Sequence, residues 1–81
     1  MRDLDVSIYP NPSNGSINFI SKGNNPINRI DFYATTGKLI RQESNIGADI
    51  YTNSNLNLSS GMYIVNVHFD SGIVTKKIIV R

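Results

Sequence analysis

The chain of 81 residues is long enough for one small domain, and 40% hydrophobic with 17% charged residues is a globular composition rather than a disordered one. Eight basic and six acidic residues give a formal net charge of +2, and the scattered lysines and arginines do not form a nucleic-acid-binding stripe. The absence of cysteine excludes disulfide bonds, thiolate metal sites and thiol nucleophiles.

Turn-forming residues divide the chain into short segments that predict β-strands. The turns are NPSNG, KGNNP, TTG, NIGAD, LSSG and DSG, and the intervening segments of about five to eight residues favour an all-β sandwich. No apolar run reaches the roughly 18 residues of a membrane-spanning helix, and the start MRDLDVSIYP lacks the apolar centre of a signal peptide. Seven strands are predicted, at residues 5–9, 16–20, 29–34, 38–42, 50–53, 62–69 and 73–80.

The first predicted strand runs into the segment YPNPSNG, residues 9–15. Tyr9 and Asn11 each precede proline and are therefore restricted to extended geometry. Pro10 and Pro12 have no N–H on one side of the segment, which predicts an edge strand that discourages a further neighbour. Residues 13–15 are predicted to turn the chain into the second strand.

Apolar residues alternate with polar residues in four of the predicted strands, which indicates one buried face on each. The residues predicted for the core are Val6, Ile8, Pro10, Ile17, Phe19, Ile30, Phe32, Ala34, Tyr63, Val65, Val67 and Phe69.

Two turns share a three-residue pattern that ends in glycine. TTG and DSG each separate two predicted strands, which is typical of a type I turn closed by a left-handed glycine. Gly37 and Gly72 are therefore predicted to have positive φ.

Few residues in the sequence are suited to catalysis or metal binding. His68 is the only histidine, and a catalytic or metal role would need carboxylates such as Asp70, so it is interpreted as a solvent-facing strand residue. The serines lack the surroundings of a nucleophile, and no enzyme is expected.

Three weaker interpretations stay open. The segment DLD, with Asp3 and Asp5, suggests oxygen ligands for calcium, and the four tyrosines suggest a sugar-binding platform. Asn14 and Asn57 match the N-glycosylation pattern, which is a weak signal in an asparagine-rich chain.

Four segments, taken in order, resemble the type A C-terminal sorting domain of the type IX secretion system of Bacteroidota. They are YPNPSNG at residues 9–15, IDFYATTGKLI at 30–40, LSSGMYIVNV at 58–67 and TKKIIVR at 75–81. The first resembles the family's Y-P-N-P-x-x-G opening and the third its L-x-x-G-x-Y-x-V-x-V segment. The last is similar to its ending of lysine, a short apolar run and a basic residue. Lys77 fits the spacing to Arg81, and the adjacent Lys76 is the alternative for that position.

The resemblance implies a small immunoglobulin-like antiparallel β-sandwich of about seven strands. It implies one sorting domain over residues 1–81, with 1–4 as a linker or cloning remnant, and a cargo protein joined ahead of it. Such a domain is a non-catalytic label without cofactors. Shuttle and translocon components recognise it in the periplasm, and it guides the cargo through the outer membrane to the surface or the medium. A sortase-like cysteine protease then removes it. No metal, nucleic acid or small-molecule substrate is expected.

Within this family pattern, the hairpin at residues 62–81 is the expected recognition element. Gly61 and Gly72 are expected to set its geometry, and Tyr63, Val65 and Val67 to anchor it in the core. Lys77, Arg81 and the C-terminal carboxylate are expected to face the partner. The full set of motif residues is Tyr9, Pro10, Asn11, Pro12, Gly15, Gly37, Leu58, Gly61, Tyr63, Val65, Val67, Lys77 and Arg81.

An accessory fibronectin-like or carbohydrate-binding sandwich of a secreted enzyme is the alternative function. A cluster of exposed tyrosines on one face would favour that module. A sorting label is expected to end its protein, as Arg81 does here, whereas a binding module can lie anywhere.

Overall fold

The computed structural model describes residues 4–9, 15–23, 25–54 and 57–81. In these ranges no helix is long and apolar enough to cross a membrane. Each predicted strand is confirmed with boundaries that differ by at most one residue. The strands are β1 (Val6–Tyr9), β2 (Ile17–Ser21), β3 (Arg29–Ala34), β4 (Leu39–Glu43), β5 (Ile50–Asn53), β6 (Gly61–Phe69) and β7 (Gly72–Val80).

The strands form two antiparallel sheets, with the orders β1-β2-β5 and β4-β3-β6-β7. Neighbours along the chain pair as hairpins in β1-β2, β3-β4 and β6-β7, and the connections after β2, β4 and β5 pass from one sheet to the other. In constant-type immunoglobulin domains the fourth strand joins the sheet of the first two, whereas β4 lies beside β3 here. The predicted all-β sandwich of seven strands is confirmed.

Apolar side chains from both sheets fill the space between them. Phe19 of β2 and Phe32 of β3 meet edge to face, with ring centroids 6.0 Å apart and an interplanar angle of 88°. This arrangement is favoured because the positive edge of one ring meets the negative face of the other. The other large side chains that are fully buried are Ile17, Ile27, Ile30, Val65, Val67 and Ile78.

The alternating pattern predicted most of the core correctly. Ile8 and Ala34 are half-buried, and Pro10 lies outside the described residues. The pattern missed Ile27, which lies outside every strand and whose N–H donates to the Ala48 carbonyl at 2.8 Å. The core prediction also omitted Ile78 and Val80 of β7. The confirmed buried residues are Val6, Ile17, Phe19, Ile30, Phe32, Tyr63, Val65, Val67 and Phe69.

The β3-β4 hairpin has the predicted turn. Gly37 has a φ of 94°, and its N–H donates to the Ala34 carbonyl at 2.9 Å. The register shifts between Phe32 and Tyr33, where β4 contains one extra residue. The glycine therefore supplies a conformation that side chains rarely adopt, and the shift accommodates the odd loop length.

The matching prediction for Gly72 is wrong. Phe69 pairs directly with Gly72, so the β6-β7 hairpin turns over only Asp70 and Ser71. Gly72 belongs to β7 and does not have a positive φ. A Cβ atom at this position would lie 2.9 Å from Leu4 Cδ1, so the glycine makes room for the chain that enters β1.

Ion pairs lie at the two margins of the sandwich, where the edge strands of the sheets run. Asp5, just before β1, contacts Lys76 of β7 at 3.1 Å and Lys22 at 3.5 Å. The Lys76 hydrogen bond is the main reason that the pKa of Asp5 is lowered. At the other margin Arg41 Nε donates to Glu43 Oε2 at 2.7 Å. Arg41 and Glu43 lie on the core-facing side of the edge strand β4, and inward-pointing charges on an edge strand discourage pairing with another chain.

Candidate recognition surface

The YPNPSNG segment is only partly described. Tyr9 ends β1 with its side chain exposed, and β1 is an edge strand, as predicted. Gly15 has a φ of 93°, which agrees with a turn that leads into β2. Pro10, Asn11 and Pro12 lie outside the described residues, so the donor-free edge stays a prediction.

The LSSGMY segment forms a corner at the start of β6. The Tyr63 hydroxyl donates to the Ser59 carbonyl at 2.6 Å, while the tyrosine ring is buried in the core. Leu58 packs against the same core. A tyrosine that bonds back to the backbone a few residues upstream is the tyrosine corner of immunoglobulin-like sandwiches. The spacing of leucine, glycine and tyrosine is therefore explained by the fold.

Gly61 provides the backbone conformation of this corner. Its φ is 153°, and a Cβ atom placed there would have no neighbour within 4 Å. The site therefore has room for a side chain, but the backbone conformation is one that only glycine adopts readily. Gly61→Val should lower the free energy of unfolding by about 1–3 kcal/mol, as measured by urea denaturation.

Gly72→Ala is the matched control for this effect. Gly72 has no positive φ, and the only close contact of the new methyl group would be the movable tip of Leu4. The loss of stability should therefore be smaller than for Gly61→Val. If the two variants unfold at the same urea concentration, the backbone explanation for Gly61 is wrong.

The structure separates the two adjacent lysines. Lys76 lies on the same face of β7 as Ile78 and Val80, at the margin where it contacts Asp5. Lys77 lies on the opposite, outer face of the sheet, and pairs in register with Ile64. Arg81 follows β7 and is exposed. Lys77 and Arg81 are thus exposed basic residues of the fourth motif segment, whereas Tyr63, Val65 and Val67 of the third are buried.

The outer face of the four-stranded sheet has a polar half and an apolar half. The strand register places Gln42, Asp31, Asn66 and Thr75 side by side in the polar half. In the other half, Leu39, Tyr33 and Ile64 are neighbours across three strands, and Met62 pairs with Ile79. We call this second group the apolar patch, which consists of Tyr33, Leu39, Met62, Ile64 and Ile79.

A buried carboxylate lies at the centre of the polar half. Asp31 is only 2% exposed. Its carboxylate accepts hydrogen bonds from Gln42 Nε2 at 3.0 Å and from His68 Nε2 at 2.9 Å. Arg29 Nε lies 3.2 Å away as an ion-pair contact without forming a hydrogen bond. His68 Nε2 donates to this carboxylate. The 3.2 Å separation between His68 Nε2 and Arg29 Nη2 is therefore a contact between two donors.

His68 lies on β6 and on the outer face of the sheet, as interpreted, but its neighbours cover most of it. Its side chain is 20% exposed and its carboxylate partner is Asp31 on the neighbouring strand. Asp70, the nearer acid along the chain, instead accepts from Asn28 Nδ2 at 2.7 Å. The pairing of β3 with β6 brings Asp31 and His68 together although they are 37 positions apart in the sequence. Spacing along the chain therefore did not indicate this contact.

The tyrosines and acids do not converge on one site. Tyr9 and Tyr33 lie on the outer faces of different sheets, Tyr63 is in the core, and Tyr51 is half-buried beside Phe19. Burial raises the pKa of Tyr51. In the part of the chain that the structure describes, no three His, Asp or Glu side chains form a group suited to a metal ion. Asp3, one of the two acids in DLD, lies outside that part.

Comparison with known families identifies the domain. Residues 7–81 match the family described as the secretion system C-terminal sorting domain. No curated protein matches the chain. The family match reaches all seven strands, and domains of this family act as non-catalytic sorting signals for export through the type IX system to the cell surface or the medium. The chain therefore belongs to the type IX secretion system C-terminal sorting domains.

Proposed function

We propose that this domain carries a covalently preceding cargo protein from the periplasm through the outer-membrane translocon. Shuttle and translocon components bind the folded domain, and a sortase-like cysteine protease afterwards separates it from the cargo. The cargo then stays on the cell surface or enters the medium. The family match supports the sorting role, and the steps of binding and removal are inferred from it.

One observation carries the proposal for the bound element. Most motif residues on β6 stabilise the interior of the sandwich. Tyr63 forms the tyrosine corner, and Val65 and Val67 are fully buried. Lys77 and Arg81 point outward instead, at the end of the same hairpin. Long cations at the surface of a rigid strand are suited to partners that offer carboxylates.

A test of this element should spare the core. Removing residues 76–81 would also remove Ile78 and Val80, which are buried, so a deletion impairs folding and recognition together. The double variant Lys77→Glu with Arg81→Glu changes only exposed charges. In a type IX-competent cell, a signal peptide and reporter placed before residue 1 should be exported with the native domain. The charge-reversed domain should leave most of the reporter in the periplasm.

Lys22→Glu is the control, because Lys22 is exposed and follows β2 of the other sheet, away from the outer face on which Lys77 lies. Its fusion should be exported like the native one, and the mass of the exported reporter should show that the domain has been removed. Equal export of all three fusions would contradict the role of Lys77 and Arg81. Failure of the native fusion to leave the periplasm would contradict the sorting function itself.

A further inference from the structure

The apolar patch is exposed although it lies on the most regular sheet of the domain. Met62, Leu39 and Ile79 are 48%, 46% and 43% exposed, and Tyr33 and Ile64 between them are half-buried. The five side chains come from all four strands of one sheet and lie next to one another in register. Adjacent exposed apolar side chains of this kind mark interaction sites more often than isolated ones do.

The charged side chains beside the patch are basic. Lys77 pairs in register with Ile64, and Arg81 follows the strand that contains Ile79. Asp31 is the nearest acid on this face, and it is buried and held by its own partners. Among the described residues, no carboxylate side chain therefore lies within the apolar patch.

We infer that the apolar patch is the docking face for a protein of the secretion machinery that presents an apolar surface bordered by carboxylates. This inference rests on the proposed sorting function and extends the bound element from the β6-β7 hairpin to β3 and β4. Apolar contacts at the centre would supply most of the binding free energy, and Lys77 and Arg81 would orient the partner.

The same observations disfavour two other occupants. A second copy of the chain would have to meet this patch with the same patch, which would bring Lys77 and Arg81 of both copies into one interface. A lipid surface is disfavoured because each side chain of the patch is less than half exposed, and Tyr33 and Ile64 are half-buried. The chain also contains no tryptophan to insert at a membrane interface.

The test is a triple variant, Leu39→Thr with Met62→Thr and Ile79→Thr, in the reporter fusion. Threonine preserves strand propensity, so the purified domain should melt close to the native temperature. Extracellular reporter should fall about tenfold or more, because central apolar anchors dominate binding free energy. The matched control is Ile50→Thr with Ile73→Thr, two residues that are each 57% exposed and lie outside the patch. The control fusion should be exported normally.

Each outcome has a separate meaning. Normal export of the triple variant would overturn the docking face and leave the sorting function standing. Failure of the native fusion would overturn both. If the triple variant melts early, Met62→Thr and Ile79→Thr are tested singly, and native export of both would overturn the docking face. Patch-dependent binding to vesicles of phosphatidylglycerol and phosphatidylethanolamine would overturn it in favour of a membrane, and patch-dependent dimerisation in sedimentation would overturn it in favour of a second copy.

Discussion

Phe32→Ala is expected to remove a large part of the domain's free energy of unfolding. Phe32 is fully buried and its ring meets Phe19 edge to face, so truncation loses both the burial and the aromatic contact. Such substitutions cost about 3–5 kcal/mol. A chain of this length has a total stability of only about 4–12 kcal/mol by the usual value per residue.

Thermal denaturation followed by circular dichroism measures this effect. The midpoint should fall by about 12–40 °C, since each kcal/mol shifts the midpoint of a domain of this size by about 4–8 °C. Phe32→Leu, which leaves a smaller cavity, should lose less. Ile50→Ala changes a side chain that is exposed on β5 and should melt near the native protein. A Phe32→Ala midpoint equal to that of Ile50→Ala would mean that the two sheets do not pack through this ring.

Asp31→Asn should lower the free energy of unfolding by about 1.5–3 kcal/mol, which is the usual contribution of hydrogen bonds to a charged group. The carboxylate accepts from both Gln42 and His68. An amide has one acceptor oxygen in place of two and carries no charge. The variant therefore loses the charge-assisted hydrogen bonds and the ion-pair contact with Arg29, although its shape is nearly unchanged.

Urea denaturation of two further variants measures how much the hydrogen bonds of Asp31 contribute to the free energy of unfolding. Asp70→Asn changes an exposed carboxylate that accepts a single bond from Asn28, so its loss should be below that of Asp31→Asn. The double variant Asp31→Asn with His68→Gln should lose less than the sum of the two single variants, because the two side chains bond each other. Strict additivity, or equal losses for Asp31→Asn and Asp70→Asn, would mean that the carboxylate does not hold β3 to β6.

The fold was predictable because the turn and strand signals are local. Gly37 supplies the positive φ of its turn, and the alternation of Tyr63, Val65 and Val67 identifies the buried face of β6. Ile27 could not be found in this way, because it lies between proline and asparagine and is buried by a bridge between two connections. Gly72 was misinterpreted because a turn of two residues and a turn of three residues can both end in DSG.

The surface was less predictable, because it depends on which strands pair. Alternation assigned Asp31 to the outer face correctly but could not show that His68 and Gln42 cover it. The apolar patch was also missed, since Leu39 and Ile79 are far apart in sequence and each alone is unremarkable as an exposed residue. The motif pattern identified the family, while most of its residues proved to stabilise the sandwich.

The position of β7 in the core has a consequence for synthesis. Ile78 and Val80 belong to the last of the seven strands in chain order, yet they complete the packing between the two sheets. A chain synthesised only as far as β6 therefore leaves part of the inner face of that strand uncovered. The sandwich can close only after β7 has been added, so in the proposed function a receptor that binds only the folded domain would select chains synthesised through β7.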